Sequence, residues 1–192
     1  MEKIAQFDGG KGLNLEAALA VIEKRGLRLP SNLELDKRLN ASEDWKKEKE
    51  MYPCWSGTFI AYKAPGKPLG DTVEFQGLKV KVPRKWQAKT NVALVCDHPK
   101  FSFKDNEFSS DNFLLIPFPE HDGWFLPDEA FGIPNGKPGD SKEARYLWRR
   151  SEDYVGLVVR GYVVFLVVVR RAVSADGGPS GLFGVFGVGK ED

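Results

Sequence analysis

Residues 15–39, LEAALAVIEKRGLRLPSNLELDKRL, carry the reading on which the fold turns. Leu15, Ala18, Leu19 and Ile22 recur at i, i+3, i+4 and i+7, so one face of the segment is an apolar stripe of helical period. Asn14 stands where an N-cap belongs and Gly26 where a left-handed exit belongs. Pro30 fixes the chain ahead of a second helix that opens at Ser31. In Ser31-Asn32-Leu33-Glu34 the hydroxyl and the carboxylate each satisfy an otherwise orphaned N–H, the spacing of a capping box. Two short helices joined by a tight turn are predicted.

Downstream, 42–50 is nearly all charged or polar around Trp45 and reads as a solvated helical extension. From Trp55 onward the pattern changes to short runs rich in Thr, Val, Phe, Ile and Tyr, divided by Gly, Pro, Asn and Asp. Strands are predicted over 57–62, 72–82, 91–96, 112–118, 144–149, 155–170 with a break, and 182–188. Long irregular connections are expected over 98–111 and 120–142, the second holding Pro127, Pro134 and Pro138 with Gly123, Gly132, Gly136 and Gly139. No internal repeat is present. Helices first and strands after give an α+β class, two N-terminal helices packed on an antiparallel, loop-rich sheet.

The helix, Gly26, Arg28-Leu29-Pro30-Ser31 and Glu34 resemble the helical turn of C-type lectin folds of the formylglycine-generating-enzyme kind. A second segment agrees. Gly156-Leu157-Val158-Val159-Arg160-Gly161 resembles the late Arg-Gly strand of that family, and Leu182-Phe183-Gly184-Val185-Phe186-Gly187-Val188 resembles its closing strand. The resemblance implies one C-type lectin-like domain over 1–192, with a scaffold over 1–150. The generating enzymes use a late pair of copper-binding cysteines, whereas the cysteines here are Cys54 and Cys96. Calcium-dependent lectins use late Asn, Glu and Asp; after Ser151 there is no Asn, and the acids are Glu152, Asp153, Asp176, Glu191 and Asp192.

The chain is most similar to a third branch, the variable proteins of diversity-generating retroelements. In these a late segment is rewritten by adenine-directed mutagenesis, mostly at AAC or AAT codons, and the altered side chains form an exposed binding face. Such codons never become Met, Trp, Lys, Gln or Glu. All 18 Lys, 14 Glu, 3 Gln, 2 Met and 5 Trp lie outside 153–189, although together they exceed a fifth of the chain. A random window of that length lacks them with a probability on the order of 10⁻⁴ by composition alone.

Within the window, VGLVVRGYVVFLVVVRRAV keeps no clean alternation. An exposed apolar patch with an arginine rim is a binding site. The residues expected to contact ligand are Val158, Val159, Arg160, Tyr162, Val163, Val164, Phe165, Val167, Val169, Arg170 and Arg171, with Leu157 and Leu166 held in the core. The expected ligand is a protein or a cell surface, gripped by apolar contacts and arginine hydrogen bonds.

Other functions are disfavoured by charge and motif. With 28 basic and 27 acidic residues, net +1, there is no long-range field to gather nucleic acid or anionic lipid. MEKIAQFDGGKG contains no apolar signal core, and the longest apolar run, 163–169, is too short to span a bilayer. A soluble protein made in the cytoplasm is expected, with no membrane insertion and with surface display by another route left open. Cys54 and Cys96 lack metal-ligand spacing and read as reduced, buried thiols. Trp55, Trp86, Trp124 and Trp148 read as anchors. The carboxylates of Asp71 and 104–111 read as solvated, and the glycines of 183–189 lack the Lys-[Ser/Thr] of a phosphate loop. No catalytic residue, metal or cofactor is expected. Two rivals stand beside this reading: an enzyme or cofactor-binding relative using Cys96, His98 and His121, which requires those three to converge, and a structural domain that self-associates.

Overall fold

In the computed structural model, residues 1–5, 12–41, 54–140, 144–165, 167–174 and 185–189 are described, with the backbone alone at 5, 39–41, 160–165, 167–174 and 185–186. The local signals at the start of the chain act as read. Asn14 Oδ1 accepts the Ala17 N–H at 2.8 Å and opens helix α1 (Leu15–Lys24), whose Leu15, Ala18 and Ile22 are buried. The chain leaves it through Gly26 at φ +66°, a conformation that residues with a Cβ adopt at a cost of about 1–2 kcal/mol. Helix α2 follows over Asn32–Ala41. Its capping box closes in both directions: Ser31 Oγ accepts the Glu34 N–H at 3.2 Å, and Glu34 Oε2 accepts the Ser31 N–H at 2.7 Å. The proposed extension over 42–50 lies outside the described residues.

The expected α+β, C-type lectin-like class is corrected by the rest of the chain. The described residues hold fifteen strands against two α-helices, 47% strand against 15% helix, and the strands form three sheets. The protein is mostly β. The largest sheet runs in the order β11 (Pro134–Pro138), β10 (Gly123–Pro127), β12 (Arg145–Trp148), β14 (Val167–Ser174), β13 (Tyr154–Phe165), β3 (Cys54–Tyr62), β6 (Val92–Asp97) and β9 (Leu114–Pro117). A second sheet orders β4 (Thr72–Phe75), β5 (Leu78–Lys81), β8 (Glu107–Ser109) and β7 (Ser102–Lys104). In the third, β15 (Val185–Gly189) lies between β1 (Glu2–Ala5) and β2 (Leu27–Arg28). Pairing is antiparallel except for β12 with β14 and β5 with β8.

The stretches expected to be long loops account for much of the difference. The 98–111 stretch contains the hairpin β7–β8, closed by Asp105 and Asn106 at φ +50° and +62°. That is the geometry of a two-residue turn with both central residues left-handed. Gln76 and Gly77, at φ +48° and +84°, divide 72–82 into β4 and β5 in the same way. The 120–142 stretch supplies β10 and β11.

All nine residues of β3 are buried, so both faces of this central strand are covered. The Phe59 ring meets Phe108, Phe113 and Phe101 at centroid distances of 4.7, 5.0 and 5.9 Å. Tyr62 meets Phe118 at 4.7 Å and stacks with Tyr154 at 5.6 Å. Trp55 is buried and its Nε1–H donates to Leu13 O at 2.8 Å, tying the entry of α1 to the sheet. Cys54 and Cys96 are both buried free thiols.

Candidate binding surface

Strand β13 has two parts. In the first, Tyr154, Val155, Gly156, Leu157, Val158 and Val159 are all buried, and the strand pairs with β3 from Tyr154↔Tyr62 to Arg160↔Cys54. Its entry is clamped. The Asp153 carboxylate takes Lys63 Nζ and the Ala64 N–H, both at 2.9 Å. The Arg149 guanidinium lies 4.7 Å from the Tyr62 ring centre and donates to Lys63 O at 2.7 Å. Arg150 lies 4.9 Å from the Phe75 ring centre, and its N–H donates to the Tyr62 hydroxyl at 3.2 Å. Partly desolvated cation–π contacts of this kind contribute about 1 kcal/mol each.

The second part of β13 lies beyond Arg160, which pairs with Cys54, the first described residue of β3. Beyond Arg160 its described pairing is with β14 alone, through Val163↔Val169, Val164↔Val168 and Phe165↔Val167. Strand β14 in turn pairs with β12 only over Ala172–Ser174. Among the described residues, Val163–Phe165 and Val167–Val169 are paired with each other alone. The register shifts between Leu157 and Val159 against β3, and again between Gly161 and Val163 against β14. Such bulges bend a strand and re-aim the residues beyond them.

This geometry divides the expected contact residues. Val158 and Val159 are 1% and 2% exposed, so those two belong to the core and not to a display face. They stand where β13 is still a central strand beside β3, covered on both faces. Arg160 sits at the boundary, opposite Cys54 and Val173. Tyr162, Val163, Val164, Phe165, Val167, Val169, Arg170 and Arg171 lie on the hairpin backbone beyond it. Leu157 is buried as expected, and Leu166 lies outside the described residues.

A polar junction that the sequence reading missed holds the α1–α2 turn against the sheet. Arg28 grips the Glu34 carboxylate in two parallel bonds of 2.7 Å. The Leu29 N–H donates to His98 Nδ1 at 3.2 Å. The Asn32 N–H donates to Thr58 Oγ1 at 2.8 Å, and that hydroxyl donates to Asp97 Oδ1 at 2.6 Å. Burial, reinforced by the nearby Glu34 charge, pushes the Asp97 carboxyl up to about 6, against the Thr58 hydrogen bond and the Lys100 and Arg28 charges. The hydrogen bond from Arg28 holds Glu34 below its ordinary range.

A carboxyl raised on folding binds its proton more tightly in the native state, so Asp97 stabilises the fold in acid and loses that contribution as pH rises through about 6. Glu34 acts oppositely, its contribution fading as pH falls below its ordinary 4.5. Replacing Asp97→Asn should remove the decline between the ordinary 3.8 and about 6, and raise stability above that range by about 2 kcal/mol. Urea unfolding of both proteins across that range measures it; an unchanged pH slope would remove Asp97 as its source.

The three residues of the rival enzyme reading are found in different surroundings. Cys96 Sγ lies 3.4 Å from Ser110 Oγ, and burial pushes its thiol up, away from thiolate. His98 packs edge-on against Phe101 and lines a cleft of about 240 Å³ with Leu19, Glu23 and Phe103, a lining that includes neither Cys96 nor His121. His121 packs on Phe125 of β10, which is separated from β6 by four intervening strands of the sheet. Among the described residues, no group of three His, Cys, Asp or Glu is placed to hold a metal, and no helix is long and apolar enough to cross a membrane. In comparisons with protein families, characterised proteins and solved structures, nothing matches this chain.

Proposed function

We propose that the chain is a ligand-binding protein, not an enzyme, whose β13–β14 hairpin displays a diversified set of side chains on a β scaffold, in the manner of the variable proteins of diversity-generating retroelements. One coincidence carries the reading. The window that lacks Lys, Glu, Gln, Met and Trp, 153–189, contains the β13–β14 hairpin. A hairpin anchored at its base tolerates changed side chains beyond that base without disturbing a core. Its ligand is a protein or cell-surface component, met by apolar and aromatic contacts with arginine at the rim.

Sequencing this gene deeply in its source population, against any near-identical template copy, tests the proposal. Dense substitutions are expected at template adenines in the codons for 160–171. The codons for the buried residues 154–159 should stay as constant as codons 1–150. Uniform low variation across the window would sink the reading.

A further inference from the structure

The cleft beside His98 is a second place where the molecule can hold a ligand, and none of its lining comes from the hairpin. It lies between α1 and the segment that runs from β6 into β7. One wall is Leu19 and Glu23, a pair at i and i+4 on one face of α1, with Leu27 of β2 beyond them. The other wall is His98, Phe101 and Phe103. This second wall is held from behind. His98 Nδ1 accepts the Leu29 N–H at 3.2 Å, the Phe101 ring meets Phe108 at 5.7 Å and Phe59 at 5.9 Å, and Phe103 meets Phe108 at 4.6 Å. A wall fixed before a ligand arrives spares part of the ordering cost of binding.

Charge selects the occupant. Glu23 is the only acid that lines the cleft, and no lysine or arginine lines it. Glu23 is exposed, and its carboxylate makes no ion pair or hydrogen bond among the described residues. Arg25, two positions on, is taken by Glu2 at 2.6 Å, and the helical turn of about 100° per residue carries Lys24 off this face. One carboxylate repels an anion and is too few for a metal ion, which takes several oxygen ligands. Leu19, Leu27, Phe101 and Phe103 offer apolar surface beside it. An organic cation meets both halves, its body on the apolar wall and its charge on Glu23, where the ammonium keeps part of its water. The cleft's volume of about 240 Å³ equals roughly eight water molecules at about 30 Å³ each, room for one aromatic ring or a short alkyl chain. We propose that this cleft binds a small free primary amine, as its ammonium ion, carried on a single ring or short apolar chain. The site is separate from the hairpin and stands whether or not the hairpin is diversified.

The probe is 2-phenylethylammonium, titrated against the ¹⁵N-labelled full chain and followed by its amide resonances. Saturable shifts are expected at Leu19, Glu23, Leu27 and 101–103, with half-saturation at about 1 mM. 2-Phenylethanol, the same body without charge, and 3-phenylpropionate, with the opposite charge, should each bind at least about threefold more weakly. Glu23→Gln, a change at an exposed position, should bring the amine down to the level of the alcohol, and Glu23→Lys should make phenylpropionate the tightest of the three. Equal affinity for amine and alcohol, shifts that do not saturate, shifts confined to the hairpin, or amine binding unchanged in Glu23→Gln would each overturn the proposal. Tighter binding of Nα-acetyl-lysine amide than of phenylethylammonium would overturn the free amine as the source and give the cleft to a lysine side chain of another protein.

Discussion

Truncating Asp36→Ala is expected to destabilise the protein by about 3–5 kcal/mol, because it strands a buried arginine. Asp36 on α2 and Arg145 on β12 are 4% and 7% exposed, and they form an ion pair across that interface. With the carboxylate gone, the guanidinium keeps its desolvation cost and loses the charge that offset it. For a chain of this size each kcal/mol moves the melting temperature by about 2–4 °C, so a fall of about 10 °C is expected in thermal unfolding. The pair itself need not be net favourable, since well-packed apolar groups replace buried ion pairs at little cost. Adding Arg145→Met to Asp36→Leu should therefore recover most of the loss. Strand β12 is the neighbour of β14, so Asp36→Ala should also speed amide exchange at Ala172–Ser174. A loss under about 1 kcal/mol would mean that the pair is solvated and that something else joins α2 to the sheet.

That ion pair marks where sequence reading ran out. Asn14, Gly26, Ser31 and Glu34 were legible because each cap is made within a few residues of itself, and the structure closes each bond at its expected partner. Asp36 and Arg145 are 109 residues apart, and nothing local announces their meeting. A faint signal existed: in Arg145-Tyr146-Leu147-Trp148 the two-residue period sets Arg145 with Leu147, and an inward-facing arginine requires a carboxylate. The mostly β class was missed for a related reason. Strands of three residues, such as β7 and β8, are too short to show alternation, and their turn signal, Asp105-Asn106, lies in a stretch read as loop. In the 153–189 tract, composition set a window but did not tell which of its residues are core. Val158 and Val159 look like Val163 and Val164 as sequence, and only the pairing of β13 with β3 and the burial it brings show that the first two are covered. A strand's own residues do not encode which neighbour will cover them.

Replacing Gly57→Ala should cost about 2–4 kcal/mol, through space and not conformation. A Cβ at Gly57 would lie 2.7 Å from Leu29 O, 2.9 Å from Leu29 Cβ and 3.0 Å from Leu29 C. These atoms belong to the turn between the helices, and the turn has little room to retreat. The Gly57 N–H donates to Pro30 O at 2.6 Å, Gly57 O accepts the His98 N–H at 2.7 Å, and Leu29 itself is fully buried. Gly26 provides the contrast: a Cβ there meets nothing within 4 Å, and only its φ of +66° opposes a side chain. Gly26→Ala should therefore cost about 1 kcal/mol, and Gly26→Asn less, since asparagine tolerates the left-handed region. Gly57→Asn should be worse than Gly57→Ala, so the order of the two side chains reverses between the sites. Chemical unfolding of the four variants reads that order directly. If asparagine were the milder replacement at both glycines, backbone conformation would be the constraint at Gly57 as well, and the close approach of β3 to the helical turn would not be what holds the helices on the sheet.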